Sequence, residues 1–294
     1  MIDLRSMIVR LAGWTPMAVR TGIYKRQWLL SPLARCLKTL IPVDKEVVVT
    51  LTDGPNAGLK LTVDRGVPNY FWLNSHYESA MERAFAETLH AGMVVADIGA
   101  HMGFDTMFMA RTVGGAGRVL SFEPDPENVR RLSRNCSLNG FANVNIYPVA
   151  VAASNGVARF AATGGTTSRF ARTDEIDSIE IRTVTLDEIV FGPSTPQLDL
   201  VKMDVEGAEQ AVLEGASRTL LELRPIWLIE CHSAALLSAC ARILQGANYR
   251  IGALTQNPFY RRAIEDLTAG REMSSAGFDV GHIRATPSCL PSPH

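Results

Sequence analysis

The segment that decides the fold is residues 93–103, which read MVVADIGAHMG. Its first six residues are a short and mostly apolar run, of the kind that forms a buried parallel strand. Gly99 and Gly103 follow, and glycine lets the backbone turn tightly into a helix and approach a ligand closely at the helix N-terminus. The segment therefore predicts a buried strand, a ligand-binding turn and a helix. We expect a valine at Gly99 to block the ligand and to leave the fold largely intact.

From this segment to the C-terminus, strand patterns alternate with helix patterns. Apolar runs predict strands over 118–122, 144–149, 198–203, 226–230, 249–254 and 282–285, and helical periodicity predicts helices over 104–112, 126–139, 208–221 and 234–244. Period-two alternation over 156–162 and 180–185 predicts an inserted hairpin. Such an alternation is typical of an α/β fold with an open, doubly wound and mostly parallel sheet.

An N-terminal extension of hairpin and helices precedes this core. Residues 47–63 predict a hairpin, and Ser75 opens a capping box before a helix with Met81, Phe85 and Leu89 on its apolar face.

Residues 1–45 are distinctly basic, with eight Lys or Arg against two acids. Ser31 and Pro32 begin a predicted amphipathic helix whose basic side chains lie opposite its apolar ones. Two interpretations stay open: a helix that packs on the main domain, or weak contact with the inner membrane surface. We expect residues 287–294 to form a frayed tail.

Composition narrows the classes of function. The chain has 294 residues, 47% hydrophobic and 20% charged, which indicates one large globular domain with appendages. A net charge of −1 gives no electrostatic case for a nucleic-acid partner. Five dispersed cysteines without a C-x-x-C pair indicate a reducing compartment, and no apolar run reaches the ~18–20 residues that span a bilayer. We therefore expect a cytoplasmic protein.

Two acidic residues near the glycine turn indicate the kind of ligand. Glu123 ends the next predicted strand, 20 residues after Gly103, where a carboxylate can accept the ribose hydroxyls of a nucleoside. Asp97 adds negative charge before Gly99, which suits the sulfonium or amine of S-adenosylmethionine (SAM) better than a pyrophosphate. The glycine spacing is also G-x-x-x-G, and not the G-x-G-x-x-G of dinucleotide-binding proteins.

Six short motifs follow one another along the same region. They are VADIGAHMG (95–103), SFEPDP (121–126), NCSLNG (135–140), VTLDE (184–188), DLVKMDVEGAE (199–209) and LIECH (228–232). In this order they resemble the FkbM-type methyltransferases, a branch of the class I SAM-dependent enzymes. The resemblance covers about residues 70–255. It implies a Rossmann-like, seven-stranded sheet with an antiparallel last strand, SAM as methyl donor, and O-methylation of a hydroxyl on a sugar, glycolipid or secondary metabolite.

The chain accordingly divides into three parts. A basic helical extension covers residues 1–45, the methyltransferase domain covers 46–286, and the tail covers 287–294. Within the domain, the hairpin and helix occupy 46–92, the SAM-binding core occupies 93–255, and the C-terminal strands reach residue 286.

The resemblance also implies roles for individual residues. The expected cofactor-binding residues are Asp97, Gly99, Ala100, Gly103, Glu123, Pro124, Ala150 and Asp204. The expected catalytic residues are His232, Asp204 and Glu206. His101 stands where many class I methyltransferases carry a glycine. Asp204 and Glu206 could offer oxygen ligands to a metal, but no third clustered carboxylate is visible nearby, so we expect no metal.

His232 is the histidine best placed to act as general base. It follows a central strand at the ligand-binding edge, and Glu230 lies two residues earlier on the same face. We expect Asp204 or Glu230 to orient it. An ordinary imidazole pKa of ~6.5 would leave it mostly neutral and ready to accept a proton at cytoplasmic pH.

Simpler explanations stay open for several of these residues. The two glycines could serve helix–sheet packing alone, and Glu123 could cap a helix. Glu206 and Glu209 could be acids that favour a helix N-terminus. Cys231 is interpreted as a core residue, since its side chain points away from that of His232 on a strand.

Three functions are compatible with the sequence. The first is a SAM-dependent O-methyltransferase acting on a small-molecule or glycan hydroxyl. The second is an oxidoreductase that binds NAD or NADP. The third is a SAM-binding protein that has lost catalysis and serves in interactions. The oligomeric state and the acceptor are left open.

Overall fold

A computed structural model describes residues 46–51, 54–63, 79–162, 168–170, 178–192, 197–254, 258–271 and 281–288. The expectations for residues 1–45, for the capping box that begins at Ser75 and for most of the tail over 287–294 lie outside these ranges. The tail begins later than predicted, because Pro287 ends a strand and the N–H of Ser288 donates to the carbonyl oxygen of Asn248. Within the described part, no helix combines the length and the apolar character needed to cross a membrane.

The strands and helices follow the chain in a regular order. The strands are β1 (Val47–Thr50), β2 (Lys60–Val63), β3 (Val94–Ile98), β4 (Arg118–Phe122), β5 (Val144–Tyr147), β6 (Ala150–Val151), β7 (Gly156–Ala161), β8 (Arg169–Phe170), β9 (Ile179–Val184), β10 (Leu200–Met203), β11 (Ile226–Cys231), β12 (Tyr249–Ala253) and β13 (Gly281–Pro287). The helices are α1 (Ser79–Thr88), α2 (Phe104–Val113), α3 (Pro126–Leu138), α4 (Leu186–Val190), α5 (Glu209–Glu214), α6 (Ala234–Gly246) and α7 (Pro258–Thr268), with a π-helical turn at Thr219–Leu223.

Seven strands form the central sheet in the order β12-β13-β11-β10-β3-β4-β5. Neighbouring strands among β11, β10, β3, β4 and β5 pair in parallel, whereas β13 is antiparallel to both β11 and β12. The expected α/β fold, with a mostly parallel sheet and an antiparallel last strand, is confirmed. The predicted N-terminal hairpin is also confirmed, since β1 and β2 pair antiparallel.

Helices cover both faces of this sheet because successive strand residues point to opposite sides. Val95 packs on one face among Phe85 of α1 and Met109 of α2. Ile98 belongs to the core of the other face, together with Leu213 of α5 and Leu237 of α6. The continuous apolar strand patterns of the sequence reflect this burial on both sides.

A second, four-stranded sheet has the order β6-β9-β7-β8. The predicted hairpin is confirmed, because β7 pairs antiparallel with β9. The prediction of one strand over 144–149 was too long: β5 ends at Tyr147, and β6 joins the second sheet instead. Pro148 lies between them, and proline has no N–H to donate to a strand ladder, so the chain changes sheets there.

One further prediction needs correction, and one helix was not predicted. The helix predicted over 208–221 is interrupted, because α5 ends at Glu214 and a π-helical turn follows from Thr219. A Cβ atom at Gly215 would overlap the carbonyl oxygen of Ala152, so the chain there contacts the segment after β6 too closely for a side chain. Helix α7 was not predicted, although its Ala263 and Ile264 are buried.

The register of the sheet brings the functional loops together. Ile98 of β3 aligns with Met203 of β10 and with Phe122 of β4, and Met203 aligns with Ile229 of β11. The residues after these strands therefore emerge at one edge, where open α/β sheets bind their ligands.

We predict that Gly215→Ala lowers the free energy of unfolding by about 1–3 kcal/mol, because the added methyl group must displace the backbone at Ala152. Urea denaturation followed by circular dichroism measures the change.

Gly246→Ala is the matched control. Gly246 is the last residue of α6 and has open space at its Cβ position, so alanine should be neutral or stabilising by up to about 1 kcal/mol. Equal stabilities for the two variants would contradict the close approach at Gly215.

Candidate active site

The turn after β3 is shaped by its glycines. Gly99 has φ +80°, and a Cβ atom there would overlap the carbonyl oxygen of Asp204, at the start of the loop after β10. Gly103 has φ +88° and packs against Leu132. The expectation that valine at Gly99 would leave the fold intact is therefore wrong, because any side chain there collides with a neighbouring backbone. Close packing is a necessary role of Gly99, whatever ligand approaches it.

His101 continues the turn and orients Glu123. His101 has φ +50°, in the left-handed region that favours glycine, consistent with the glycine that many related enzymes carry there. Its backbone N–H donates to Glu123 Oε2 at 2.7 Å, and the N–H of Asp125 donates to Oε1 at 2.9 Å. Burial raises the pKa of the Glu123 carboxyl to about 7, although these backbone hydrogen bonds oppose the shift.

Asp125, and not Glu123, caps the helix that follows. The Asp125 side chain accepts hydrogen bonds from the backbone N–H groups of Glu127 and Asn128 at the start of α3. Its other oxygen accepts from the hydroxyl of Ser168 at 2.7 Å. The alternative that Glu123 serves as the helix cap is therefore excluded, and its carboxylate is directed at the turn after β3.

A buried lysine lies below the same turn. The Lys202 ammonium donates to the carbonyl oxygen of Gly99 at 3.0 Å and lies 3.4 Å from Asp97 Oδ1. It is also 3.8 Å from Asp105 and 3.9 Å from Asp204. Asp97 is completely buried and accepts a 2.5 Å hydrogen bond from Thr106, so its carboxylate lies beneath the crevice floor.

An open crevice of about 1000 Å³, its mouth included, follows this edge of the sheet. Six of the predicted cofactor-binding residues line it: Gly99, Ala100, Glu123, Pro124, Ala150 and Asp204. Asp97 and Gly103 do not line it. Asp105 and Phe160 also line the crevice and were not predicted. Asp105 occupies the first turn of α2, where no motif marks it, and Phe160 belongs to the second sheet.

The predicted catalytic residues do come together, although only two of them line the crevice: Asp204 and Glu206 line it, and His232 lies beside them. His232 Nε2 lies 3.5 Å from Asp204 Oδ1, 3.5 Å from Glu206 Oε2 and 3.7 Å from Glu230 Oε1. On its other side, His232 Nδ1 is 2.5 Å from Oε1 of Glu209. Glu209 is fully buried and also accepts a hydrogen bond from the N–H of Gly207, so it is more than a helix-terminal charge.

Two expectations about His232 are wrong. Its orienting partner is Glu209, not Asp204 or Glu230. Burial lowers the pKa of His232, but the hydrogen bond to Glu209 and the charges of Asp204 and Glu206 outweigh burial and raise it to about 9. The side chain therefore holds its proton at neutral pH instead of being ready to accept one.

Cys231 is a core residue, as expected. It is completely buried, and hydrogen bonding with Cys240 together with burial raises the pKa of its thiol. A thiol held in this protonated form is a poor nucleophile.

This fold and this edge of the sheet are those of a class I methyltransferase. The Methyltransferase FkbM domain matches residues 97–251, which is more than half of the chain. The chain therefore belongs to the FkbM family of SAM-dependent methyltransferases. This assignment supports SAM-dependent methyl transfer and leaves the NAD-dependent alternative without support.

Individual relatives are distant. The hexuronic acid methyltransferase AglP of Haloferax volcanii is 25% identical over 158 residues, which are 53% of this chain and 63% of AglP. The chain thus matches less than two thirds of that relative's length. Among solved structures, the methyltransferase FkbM of Methylobacillus flagellatus is 19% identical, covering 74% of this chain and 52% of its own, with a TM-score of 0.42. A SAM-dependent O-methyltransferase of Thermotoga maritima is 13% identical, covering 86% and 89%, with a TM-score of 0.45.

We predict that Lys202→Met lowers the free energy of unfolding by about 3–5 kcal/mol, because it leaves buried carboxylates, Asp97 first among them, without their cation. Thermal and urea unfolding at pH 7 measure the loss.

Arg182→Met removes an exposed cation that pairs with Glu188 at 3.3 Å. It should change stability by less than about 0.5 kcal/mol. A Lys202→Met variant as stable as Arg182→Met would show that the ammonium does not hold the crevice floor.

Proposed function

We propose that the protein transfers a methyl group from SAM to a hydroxyl of a sugar, glycolipid or secondary metabolite. The observation that carries this proposal is one continuous crevice. It has Glu123 toward one end, and Asp204 and Glu206 toward the other, beside His232. The family assignment supports methyl transfer, and the name of the relative AglP supports a sugar as the acceptor.

The crevice suits SAM in both shape and charge. The Glu123 carboxylate accepts two backbone N–H groups and a hydrogen bond from the Asn128 side chain, which leaves about one of its four lone-pair positions for a ribose hydroxyl. Val149, Ala150 and Val151 give an apolar wall that suits adenine. Asp105 and Asp204 line the crevice near the turn. Burial raises the pKa of both carboxyls, that of Asp105 to about 7, and the cationic amine and sulfonium of the methionine part would favour their charged forms.

One carboxylate oxygen of the crevice indicates that a further group binds there. Asp204 Oδ1 is buried and accepts no hydrogen bond from the described residues, although it lies 3.5 Å from His232 Nε2. Buried carboxylate oxygens in folded proteins almost always accept a hydrogen bond, so this one supports a ligand beside Asp204.

Bound SAM supplies a methyl group that its sulfonium already activates, so the protein has mainly to position the acceptor oxygen. We assign Glu206 to accept the hydrogen bond of the acceptor hydroxyl and to take its proton. Glu206 lines the crevice, is the most exposed of the carboxylates around His232, and has a strained φ of +48°. Asp204 and His232 would then position the acceptor.

The direct test is turnover with SAM carrying a labelled methyl group. We expect label to appear on at least one member of a panel of neutral sugars, uronic-acid glycans, glycolipids and polyketides, with equimolar formation of the demethylated cofactor. Glu206→Gln should reduce turnover by about 10²–10⁴-fold, because it removes the proton acceptor.

An exposed acid away from the crevice provides the control. Glu222→Gln removes a carboxylate that is 51% exposed and pairs with Arg218, and it should not change turnover. Tight SAM binding without turnover on any acceptor class would instead favour a SAM-binding protein that has lost catalysis.

Affinity for SAM tests the role of Glu123 separately. We predict that Glu123→Ala weakens SAM binding by about 1–3 kcal/mol, because charged hydrogen bonds to the ribose are lost. Isothermal titration calorimetry gives the dissociation constant, and circular dichroism shows whether the variant is folded.

The affinity for SAM should also decrease as the pH is lowered. Since the pKa of Glu123 is raised to about 7, the accepting carboxylate form dominates above pH 7 and is lost as the pH falls below it. SAM affinity should therefore fall between pH 8 and pH 6 in the wild type but not in Glu123→Gln. A folded Glu123→Ala variant with unchanged affinity would refute the assignment.

A further inference from the structure

We propose that Asp204, Glu230 and His232 form a divalent-cation site at the acceptor end of the crevice. The metal site stands on the geometry of these residues. Its suggested role, to hold oxygen atoms of the acceptor, rests on the proposed function. In the sequence, only Asp204 and Glu206 are neighbouring candidates for metal ligands, so no metal was expected. The fold brings two more candidates to Asp204: Glu230 of β11, and His232, which follows that strand.

The distances between these side chains match those around a metal ion. One ligand atom from each residue lies within 4.8 Å of the others. His232 Nε2 is 3.5 Å from Asp204 Oδ1 and 3.7 Å from Glu230 Oε1, separations that are too long for good hydrogen bonds. Ligands about 2.1 Å from a shared cation, at near-tetrahedral angles, lie roughly 3.4 Å from one another.

Two of the three residues are held by hydrogen bonds at their outer atoms, and the third has only a longer ion pair there. His232 Nδ1 contacts Glu209 Oε1 at 2.5 Å, Glu230 Oε2 contacts His282 Nε2 at 2.9 Å, and Asp204 Oδ2 lies 3.9 Å from the Lys202 ammonium. A carboxylate on the outer nitrogen of a histidine is the usual support of a metal-binding imidazole. The inner atoms, Nε2, Oδ1 and Oε1, are thereby directed at one another.

The surroundings of Asp204 Oδ1 give further support. This oxygen, one of the three inner atoms, is buried and accepts no hydrogen bond among the described residues. A cation would satisfy it, and it would also offset the charge of the carboxylates gathered around His232. A bound cation has to displace the proton that His232 otherwise holds on Nε2, and an ion-paired imidazolium is the alternative occupant of this place.

The set of ligands indicates the kind of metal. Carboxylates suit Mg²⁺ and Mn²⁺, whereas an imidazole shifts the preference toward Mn²⁺, Fe²⁺ or Zn²⁺. Three protein ligands leave coordination positions free, as in metal sites that bind substrate. Asp204 and Glu230 both line the crevice, so these positions would face the acceptor. A hydroxyl, or a carboxylate such as that of a uronic acid, is a suitable oxygen ligand.

The test uses the full chain, freed of metal with EDTA, dialysed and titrated with MnCl₂ alone. The electron paramagnetic resonance signal of free Mn²⁺ reports binding, and ZnCl₂ serves as competitor. We expect one Mn²⁺ per chain. Binding should be lost in His232→Ala and Asp204→Asn, and should weaken about 10–100-fold in Glu209→Gln, which alters only the support of the imidazole.

His90→Ala is the matched control, because His90 is exposed and distant in sequence from the site. It should bind Mn²⁺ as the wild type does. Circular dichroism checks the folding of every variant, and Glu230→Gln replaces any variant that does not fold. A wild type without Mn²⁺ binding, or folded His232→Ala and Asp204→Asn variants with unchanged binding, would overturn the site in favour of the imidazolium.

Measurements of turnover distinguish a failure of the metal site from a failure of the proposed function. If removal of metal raises the KM of the acceptor at least tenfold, and Mn²⁺ restores it while SAM affinity stays constant, the acceptor role is supported. An acceptor KM that is unchanged by metal removal overturns that role. Stoichiometric Mn²⁺ binding without turnover on any acceptor counts against the proposed function and supports the site.

Discussion

The buried ammonium of Lys202 ties together the parts of the crevice that the sequence keeps far apart. It extends from β10 to the carbonyl oxygen of Gly99 after β3, and it lies between Asp97 beneath the floor and Asp204 at the crevice wall. In an interior of low dielectric these carboxylates would repel one another without a cation. This charge therefore joins the turn after β3 to the end of β10, on either side of the crevice floor.

Backbone strain is concentrated along the same crevice. His101 and Glu206 both have positive φ although neither is glycine, and they occupy the loops after β3 and β10. Such conformations each cost about 1–3 kcal/mol and persist where the surrounding structure imposes them. Here the close contact of Gly99 with the Asp204 carbonyl imposes the path of both loops. The strain at His101 directs its N–H to Glu123, and the strain at Glu206 places its carboxylate beside His232.

Local sequence patterns predicted most of the strands and helices, because each of these elements is encoded in contiguous residues. It failed where a tertiary contact decided the outcome. Helix α5 stops because Gly215 packs on the segment after β6, and β5 stops at Pro148. In the site, Glu123 was found because it directly follows a strand. Glu209 was underrated because its partner, His232, is distant in the chain.

The carboxylates at the acceptor end of the crevice limit which acceptors can bind there. Asp204, Glu206, Glu209 and Glu230 surround one imidazole, with His282 and Lys202 at the periphery. Neutral hydroxyls can donate hydrogen bonds to such a cluster, so a neutral sugar needs nothing more. An acceptor that carries a carboxylate is repelled by these acids. Such an acceptor therefore needs positive charge in the cluster, either the protonated imidazole of His232 or the proposed cation at the point where Nε2, Oδ1 and Oε1 converge.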